Sequence, residues 1–272
     1  MDMHVRKFWR LGTLVLLIGF LWYQQYGLQV TRTQVFSEKL PTAFDGFRIV
    51  QLSDLHGRQF GTNNKRLLHR VQQLNPDLIA VTGDLLEEDI QLSQSLALLT
   101  ALAQIAPTYF VTGNHEWSLS DVHNVLKTIE RTGVTVLQNE ALLLQRGDQQ
   151  ILLAGVNDPC GPWDQISPQA LGTELRKEYG SDLFFLLLAH RNETAAYWAS
   201  TGADLVLAGH AHGGLIRLPG LGGIIRRHGQ HGYDSGLYQS GDTQLFISRG
   251  LGGQGVRLFN RPEIALIELL KS

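Results

Sequence analysis

From Phe47 onward the chain alternates short apolar runs, each closed by a polar residue or glycine, with stretches whose apolar residues recur at helical spacing. Runs so short suit strands, and the stretches between them are long enough to cross back over a sheet, so the alternation predicts an α/β domain. Strands are expected at 48–53, 77–82, 108–112, 134–137, 184–189 and 204–208. Helices are expected at 63–74, 93–104, 120–132 and 193–200, with Ser120 as an N-cap. Two segments depart from the pattern: 141–145 and 150–154, joined by Arg146-Gly147-Asp148-Gln149, read as a hairpin. Strands at 244–248 and 264–269 complete a pair of mixed sheets with helices outside, and the glycine-dense stretch 209–232 reads as loop.

At 272 residues, one domain with an N-terminal extra is expected. The division is 1–28 as a basic flank and membrane anchor or uncleaved signal, 29–46 as a linker and lead-in, and 47–272 as the domain itself. A formal charge of −2 and a pI near 6.5 give no general basic field, so no nucleic-acid partner is expected. Cys160 is the single cysteine, which excludes an intrachain disulfide framework and a thiolate-rich zinc site. Any metal must therefore be held by nitrogen and oxygen.

The N-terminus carries Arg6, Lys7 and Arg10 ahead of an uncharged run from Leu11 to Tyr23, with Trp22, Tyr23 and Tyr26 where interfacial aromatics would sit. No small-x-small cleavage site follows, so a retained single N-terminal anchor is expected, in a bacterial inner membrane. The run is shorter than the ~20 residues of a spanning helix. Whether it spans or lies in the interface stays open, and with it the side on which the domain sits.

Open α/β sheets bind ligands outside the carboxyl ends of their strands. Those ends carry Ser53-Asp54-Leu55-His56-Gly57, Thr82-Gly83-Asp84, Thr112-Gly113-Asn114-His115-Glu116, Leu188-Ala189-His190 and Gly209-His210-Ala211-His212-Gly213-Gly214. Taken singly, each has a plain structural explanation: a capping aspartate, a turn Asn-His pair, a packing histidine. Together, at successive strand ends, they bring carboxylates, imidazoles and an amide to one edge, a donor set for a divalent metal.

In this order the five blocks resemble the signature of the calcineurin-like metallophosphoesterase superfamily. Ser235-Gly236-Leu237-Tyr238, Ser248-Arg249-Gly250-Leu251-Gly252 and Asn260-Arg261-Pro262-Glu263-Ile264 are similar to the C-terminal blocks of its membrane-associated bacterial branch, which includes phosphodiesterases and UDP-2,3-diacylglucosamine pyrophosphatase-like enzymes. The resemblance implies a four-layer α-β-β-α sandwich and two divalent ions, manganese, iron or zinc. Asp54, His56 and His212 would hold one ion, Asn114, His190 and His210 the other, and Asp84 would bridge them. It departs from the branch at Glu116, where aspartate is more usual, and at Arg191-Asn192, where a proline is expected nearby.

Two such ions orient a hydroxide for in-line attack on phosphorus. The expected function is hydrolysis of a phosphodiester or pyrophosphate, with His115 as proton donor to the leaving oxygen and Glu116 orienting it. Arg191, Arg217, Arg226 and Arg249 are candidate anion contacts. Leu215, Ile216, Leu218, Leu221, Ile224 and Ile225 either form an apolar lip suited to a lipid-linked substrate or fill the second sheet's core. The alternatives are a phosphomonoesterase or cyclic-nucleotide phosphodiesterase on a soluble substrate, and a non-catalytic binding module, whose mark would be a lost ligand; none is lost.

Overall fold

Two six-stranded mixed sheets form the centre of the chain. The computed structural model describes residues 3–87, 92–161, 166–193, 195–218, 220–224, 233–253 and 255–272. In the first sheet the order is β1 (Gln29–Ser37), β14 (Glu263–Lys271), β2 (Phe47–Leu52), β3 (Leu78–Thr82), β4 (Thr108–Val111) and β5 (Thr135–Val136). In the second it is β12 (Gly236–Ser240), β13 (Thr243–Ile247), β9 (Leu205–Ala208), β8 (Phe185–Leu188), β7 (Gln149–Gly155) and β6 (Glu140–Arg146). A small pair, β10 (Arg217–Leu218) and β11 (Gly222–Gly223), stands apart. The helices are α1 (Met3–Tyr26), α2 (Lys65–Gln73), α3 (Leu92–Ala103), α4 (Asn114–Trp117), α5 (Val122–Glu130), α6 (Pro168–Tyr179) and α7 (Ala195–Ala199).

The central strands are apolar at nearly every position because both faces are covered. Along β2, Val50 and Leu52 pack with Leu67 and Val71 of α2 and Leu98 and Leu102 of α3, while Ile49 faces the other sheet. Between the sheets, Ile49, Leu78, Ala80 and Ile267 meet Leu153, Leu186, Leu205 and Phe246. On the far side, Leu152, Leu187 and Val206 pack against Leu171 and Leu175 of α6 and Trp198 of α7. Helix, sheet, sheet, helix is the expected layering. β2 to β5 run parallel in the first sheet and β7, β8, β9 and β13 in the second, so their carboxyl ends share an edge within each sheet.

Several local expectations change. The segment 29–46 contributes β1, paired in parallel with β14, and a 3-10 turn at Thr42–Phe44 that buries Phe44. The strand at 134–137 shortens to β5 and the helix at 193–200 to α7. The α5 cap is Asp121, whose carboxylate accepts from the Asn124 amide at 3.2 Å, and not Ser120. The unforeseen α6 has its signals in plain view: Ser167 caps it, Pro168 opens it, and Gly180 closes it at φ 81°.

The N-terminal expectation is overturned. Among the described residues no helix is long and apolar enough to cross a membrane, so the single N-terminal anchor and the inner-membrane location that rested on it do not stand. Physically, α1 begins with Arg6, Lys7 and Arg10 and ends with Gln24 and Gln25, which leaves its apolar run short. The three aromatics expected at a lipid interface stack instead on arginines of the domain: Arg66 lies 6.0 Å from the Trp22 ring centre, Arg261 4.8 Å from Tyr23 and Arg58 5.6 Å from Tyr26. The Gln25 amide donates to the Arg257 carbonyl at 2.8 Å.

Candidate metal centre

The loops that leave β2, β3, β8 and β9 bring Asp54, His56, Asp84, His190, His210 and His212 together, and the loop after β4 places His115 with them; the remaining expected ligand, Asn114, stands next to His115 at the start of α4. Asp54, His56 and His212 form one group whose candidate ligand atoms lie within 4.8 Å of each other; Asp84, His190 and His210 form a second. His56, Asp84 and His115 form a third that links them. Asp84 sits between: its carboxylate lies 3.2 Å from His190 Nε2 and 3.7 Å from His56 Nε2. The His212 ring is 3.7 Å from Asp54, whose carboxylate also accepts from the His210 amide at 3.1 Å.

The backbone that carries these side chains is strained. Asp54, His56, Asp84, His210 and His212 all occupy the left-handed region, with φ of 53°, 49°, 52°, 66° and 50°. Non-glycine residues avoid this region unless the surrounding structure enforces it, and such strain gathers at functional sites. Among the described residues only five others share it, four of them asparagines, which tolerate it best. Glycines make the crowding possible. A Cβ on Gly113 would collide with Asp84 Oδ1 and lie 2.6 Å from the Asp84 nitrogen, and one on Gly83 would lie 2.7 Å from His190 Nδ1.

The electrostatics prepare three of the rings as ligands and tie the fourth, His190, to Asp84. Burial lowers the pKa of His56 and of His210 to about 4, aided by neighbouring imidazoles, and holds His212 well below the ordinary histidine value. All three shifts favour the neutral ring, the form that offers a lone pair. Burial also pushes down on His190, but the charge and hydrogen bond of Asp84 outweigh it and raise the ring to about 10. The same pairing, against burial, holds Asp84 well below the usual carboxylate range, whereas burial pushes Asp54 up to about 6. His190 Nδ1 bonds the Thr82 carbonyl at 2.8 Å, which fixes the ring and aims Nε2 at Asp84.

The donor set fits divalent metal. Both His56 ring nitrogens, His212 Nδ1 and Asn114 Oδ1 are buried without a hydrogen-bond partner, an arrangement that costs stability unless another group satisfies them. The mixture of carboxylate, imidazole and amide oxygen suits manganese, iron or zinc.

Glu116 differs from expectation. Fully buried, it accepts from the backbone amides of Asp84, Leu85, Leu86 and Gly113 at 2.9, 2.8, 3.1 and 2.7 Å. It therefore clamps the β3 and β4 loops together and does not orient the His115 ring; His115 packs edge-on against His56, with centroids 4.7 Å apart. Burial and the Asp84 charge push its carboxyl up to about 7, opposed by the amides it accepts from.

Of the candidate anion contacts, Arg191 is bound to Asp158 and Glu193, Arg217 to Asp234, and Arg249 to Glu263; Arg226 lies outside the described residues. Leu218, Leu221 and Ile224 are exposed beside the chain that follows His212 and do not fill the second core, while Ile225 lies outside the described residues. Two supports carry no expected role in the sequence, although Asn260 opens one of the blocks that resemble the family's C-terminal signature. Buried Arg257 donates to the carbonyls of Gly252, Asn260 and Arg249, and buried Asn260 donates to the carbonyls of His212 and Gly214. They fix the loop that faces His212, and α1 reaches that loop through Gln25.

Comparison with known proteins agrees with this geometry. The family model described as calcineurin-like phosphoesterase matches residues 47–214. The chain is 30% identical over 250 residues to the uncharacterised metallophosphoesterase YkuE of Bacillus subtilis, covering 89% of this chain and 85% of that protein. It is 31% identical over 236 residues to the phosphodiesterase YaeI of Escherichia coli, covering 82% of each. Among solved structures it is similar in fold to the sulfate thiohydrolase SoxB of Thermus thermophilus, with a TM-score of 0.53, 12% identity, and coverage of 85% of this chain and 57% of that one.

Proposed function

This chain belongs to the calcineurin-like phosphoesterase family and is a phosphoester hydrolase, and from that premise we propose that it cleaves a phosphodiester or pyrophosphate bond at a dinuclear metal centre. In this reading Asp54, His56 and His212 would hold one ion, Asn114, His190 and His210 would hold the other, and Asp84 would be shared between them. The observation that carries it is the left-handed backbone at five of these seven residues, strain that folding alone does not require. When bound, the ions supply Lewis-acid polarisation of the phosphoryl group and a water acidic enough to attack at neutral pH.

The residues of the chain do the rest. Asp54 and Asp84 neutralise part of the charge and leave an excess that attracts an anionic ester. Glu116 holds Asp84 and Asn114 at a fixed separation by gripping the backbone on both sides. His115, whose amide donates to Asp84 Oδ1 at 2.9 Å, sits beside the cluster as the proton donor to the leaving oxygen. The exposed Leu218, Leu221 and Ile224, in the segment that follows His212, favour a substrate with an apolar substituent, a lipid-linked pyrophosphate among them.

The test is turnover by the purified full chain, loaded with manganese, iron or zinc, of bis(p-nitrophenyl) phosphate, p-nitrophenyl phosphate and a lipid pyrophosphate. Metal-dependent turnover of the diester or pyrophosphate is expected. Turnover of the monoester alone would replace this reading with a phosphomonoesterase, and no turnover of any would favour a binding module.

A further inference from the structure

The carboxyl ends of β7, β8 and β9 stand side by side: the Val156 amide donates to the Leu188 carbonyl at 3.1 Å and the Gly209 amide to the His190 carbonyl at 2.8 Å. Along this edge a chain of charged side chains runs from one strand end to the next. Asp158, buried beyond β7, holds Arg191 at two points, with Arg191 Nε donating to Oδ2 at 2.8 Å and Nη2 to Oδ1 at 3.2 Å. The remaining arm of that guanidinium, Nη1, donates to Glu193 Oε1 at 2.9 Å. The same carboxylate oxygen lies 3.7 Å from Nε2 of the His210 ring.

The other nitrogen of that ring faces the metal centre. His210 Nδ1 lies 3.1 Å from His190 Nε2, the atom that also faces Asp84. A ligand nitrogen must present a lone pair, and a neutral imidazole carries one proton, so with Nδ1 toward an ion the proton belongs on Nε2, on the Glu193 side. A carboxylate behind a ligating ring fixes its tautomer and orientation and raises its basicity. Glu193 acts from the outer side of the ring, and so supports a ligand without being one. Its side chain is 31% exposed, and the buried Asp158 carboxylate, through Arg191, is what keeps it from swinging into water.

We propose that Glu193, latched by Arg191 and Asp158, is a positioning residue that holds His210 in the orientation and tautomer a metal ligand needs. The inference rests on the dinuclear reading of the metal face, in which His210 holds an ion. Zinc affinities of the full chain, read by competition with a chelating dye, test it together with thermal melts of the metal-free protein. Glu193→Ala should weaken one ion about 10- to 100-fold and leave the other within about twofold. Glu193→Gln keeps an oxygen to face Nε2 and should recover most of the loss. In a His210→Ala background, Glu193→Ala should change zinc affinity no further, because the ring it positions is gone. The metal-free Tm should stay within about 2 °C of the wild type, as for a change at the surface. Unchanged affinity for both ions, equal weakening of both, or the same loss with and without His210 would overturn the proposal. A metal-free Tm that falls in step, with no recovery in Glu193→Gln, would make the effect structural and overturn it as well. A wild type that binds a single zinc would instead overturn the dinuclear reading, and the response of that ion to Glu193→Ala, with and without His210, would still decide the role of Glu193.

Discussion

Replacing Glu116 by glutamine tests whether one buried carboxylate holds the metal-bearing loops together. One carboxylate oxygen accepts from Leu85 and Leu86, and the other from Asp84 and Gly113. Glutamine keeps the shape and one acceptor oxygen, but puts an amino group opposite two backbone donors. Each buried N–H left without a partner costs about 1–3 kcal/mol, so the pair costs about 2–6 kcal/mol. Relief from burying a charge, the cause that pushes this carboxyl up to about 7, offsets part of that. A net loss of about 2–4 kcal/mol lowers Tm by about 4–16 °C in a domain of this size. Because the lost partners flank Asp84 and Asn114, metal affinity should fall about 10- to 100-fold as well, as it does when the supports of ligands are removed. Thermal unfolding with and without metal, together with metal titration, reads both effects. A Glu116→Gln variant that melts within about 3 °C of the wild type and binds metal equally well would refute the clamp.

His115→Ala should depress hydrolysis of an alkyl diester about 10²- to 10⁴-fold while sparing a nitrophenyl diester, whose leaving group needs no proton. Equal loss on both would assign the ring to electrostatic stabilisation, and loss of metal would place it in the ligand shell it adjoins through His56 and Asp84. Gln25→Ala removes the hydrogen bond from α1 to the Arg257 carbonyl and should cost about 1 kcal/mol, or about 2–4 °C in Tm. An unchanged Tm would mean that α1 lends the domain nothing through this contact.

The strand ends were legible because the sheet's physics advertises them: apolar runs covered on both faces must stop where the chain turns polar, and there the ligand candidates stand. The alternation implies parallel strands whose carboxyl ends share an edge, which brings Asp54 beside Asp84 on one sheet and His190 beside His210 on the other; that the two edges meet is set by how the sheets pack. What escaped was tertiary in origin. Nothing in Glu116 distinguishes a group that orients a neighbouring ring from one that grips four amides, since the difference lies in where the β3 loop passes. The burial of Arg257 arises from a loop folding around it, and no periodicity marks such a residue. The N-terminal error was of another kind. No helix among the described residues is long and apolar enough to span, and the aromatics that suit a lipid interface also suit stacking on arginines, as Trp22, Tyr23 and Tyr26 do on Arg66, Arg261 and Arg58. The limits of α6 are local, a Ser167-Pro168 start and a Gly180 stop.

Elemental analysis of the purified chain, after saturation with manganese and removal of free ion, tests most directly whether Asp84 joins two metal sites. Two ions per chain are expected for the wild type and fewer than one for Asp84→Asn. One ion or fewer in the wild type, or two retained in Asp84→Asn, would contradict a shared Asp84.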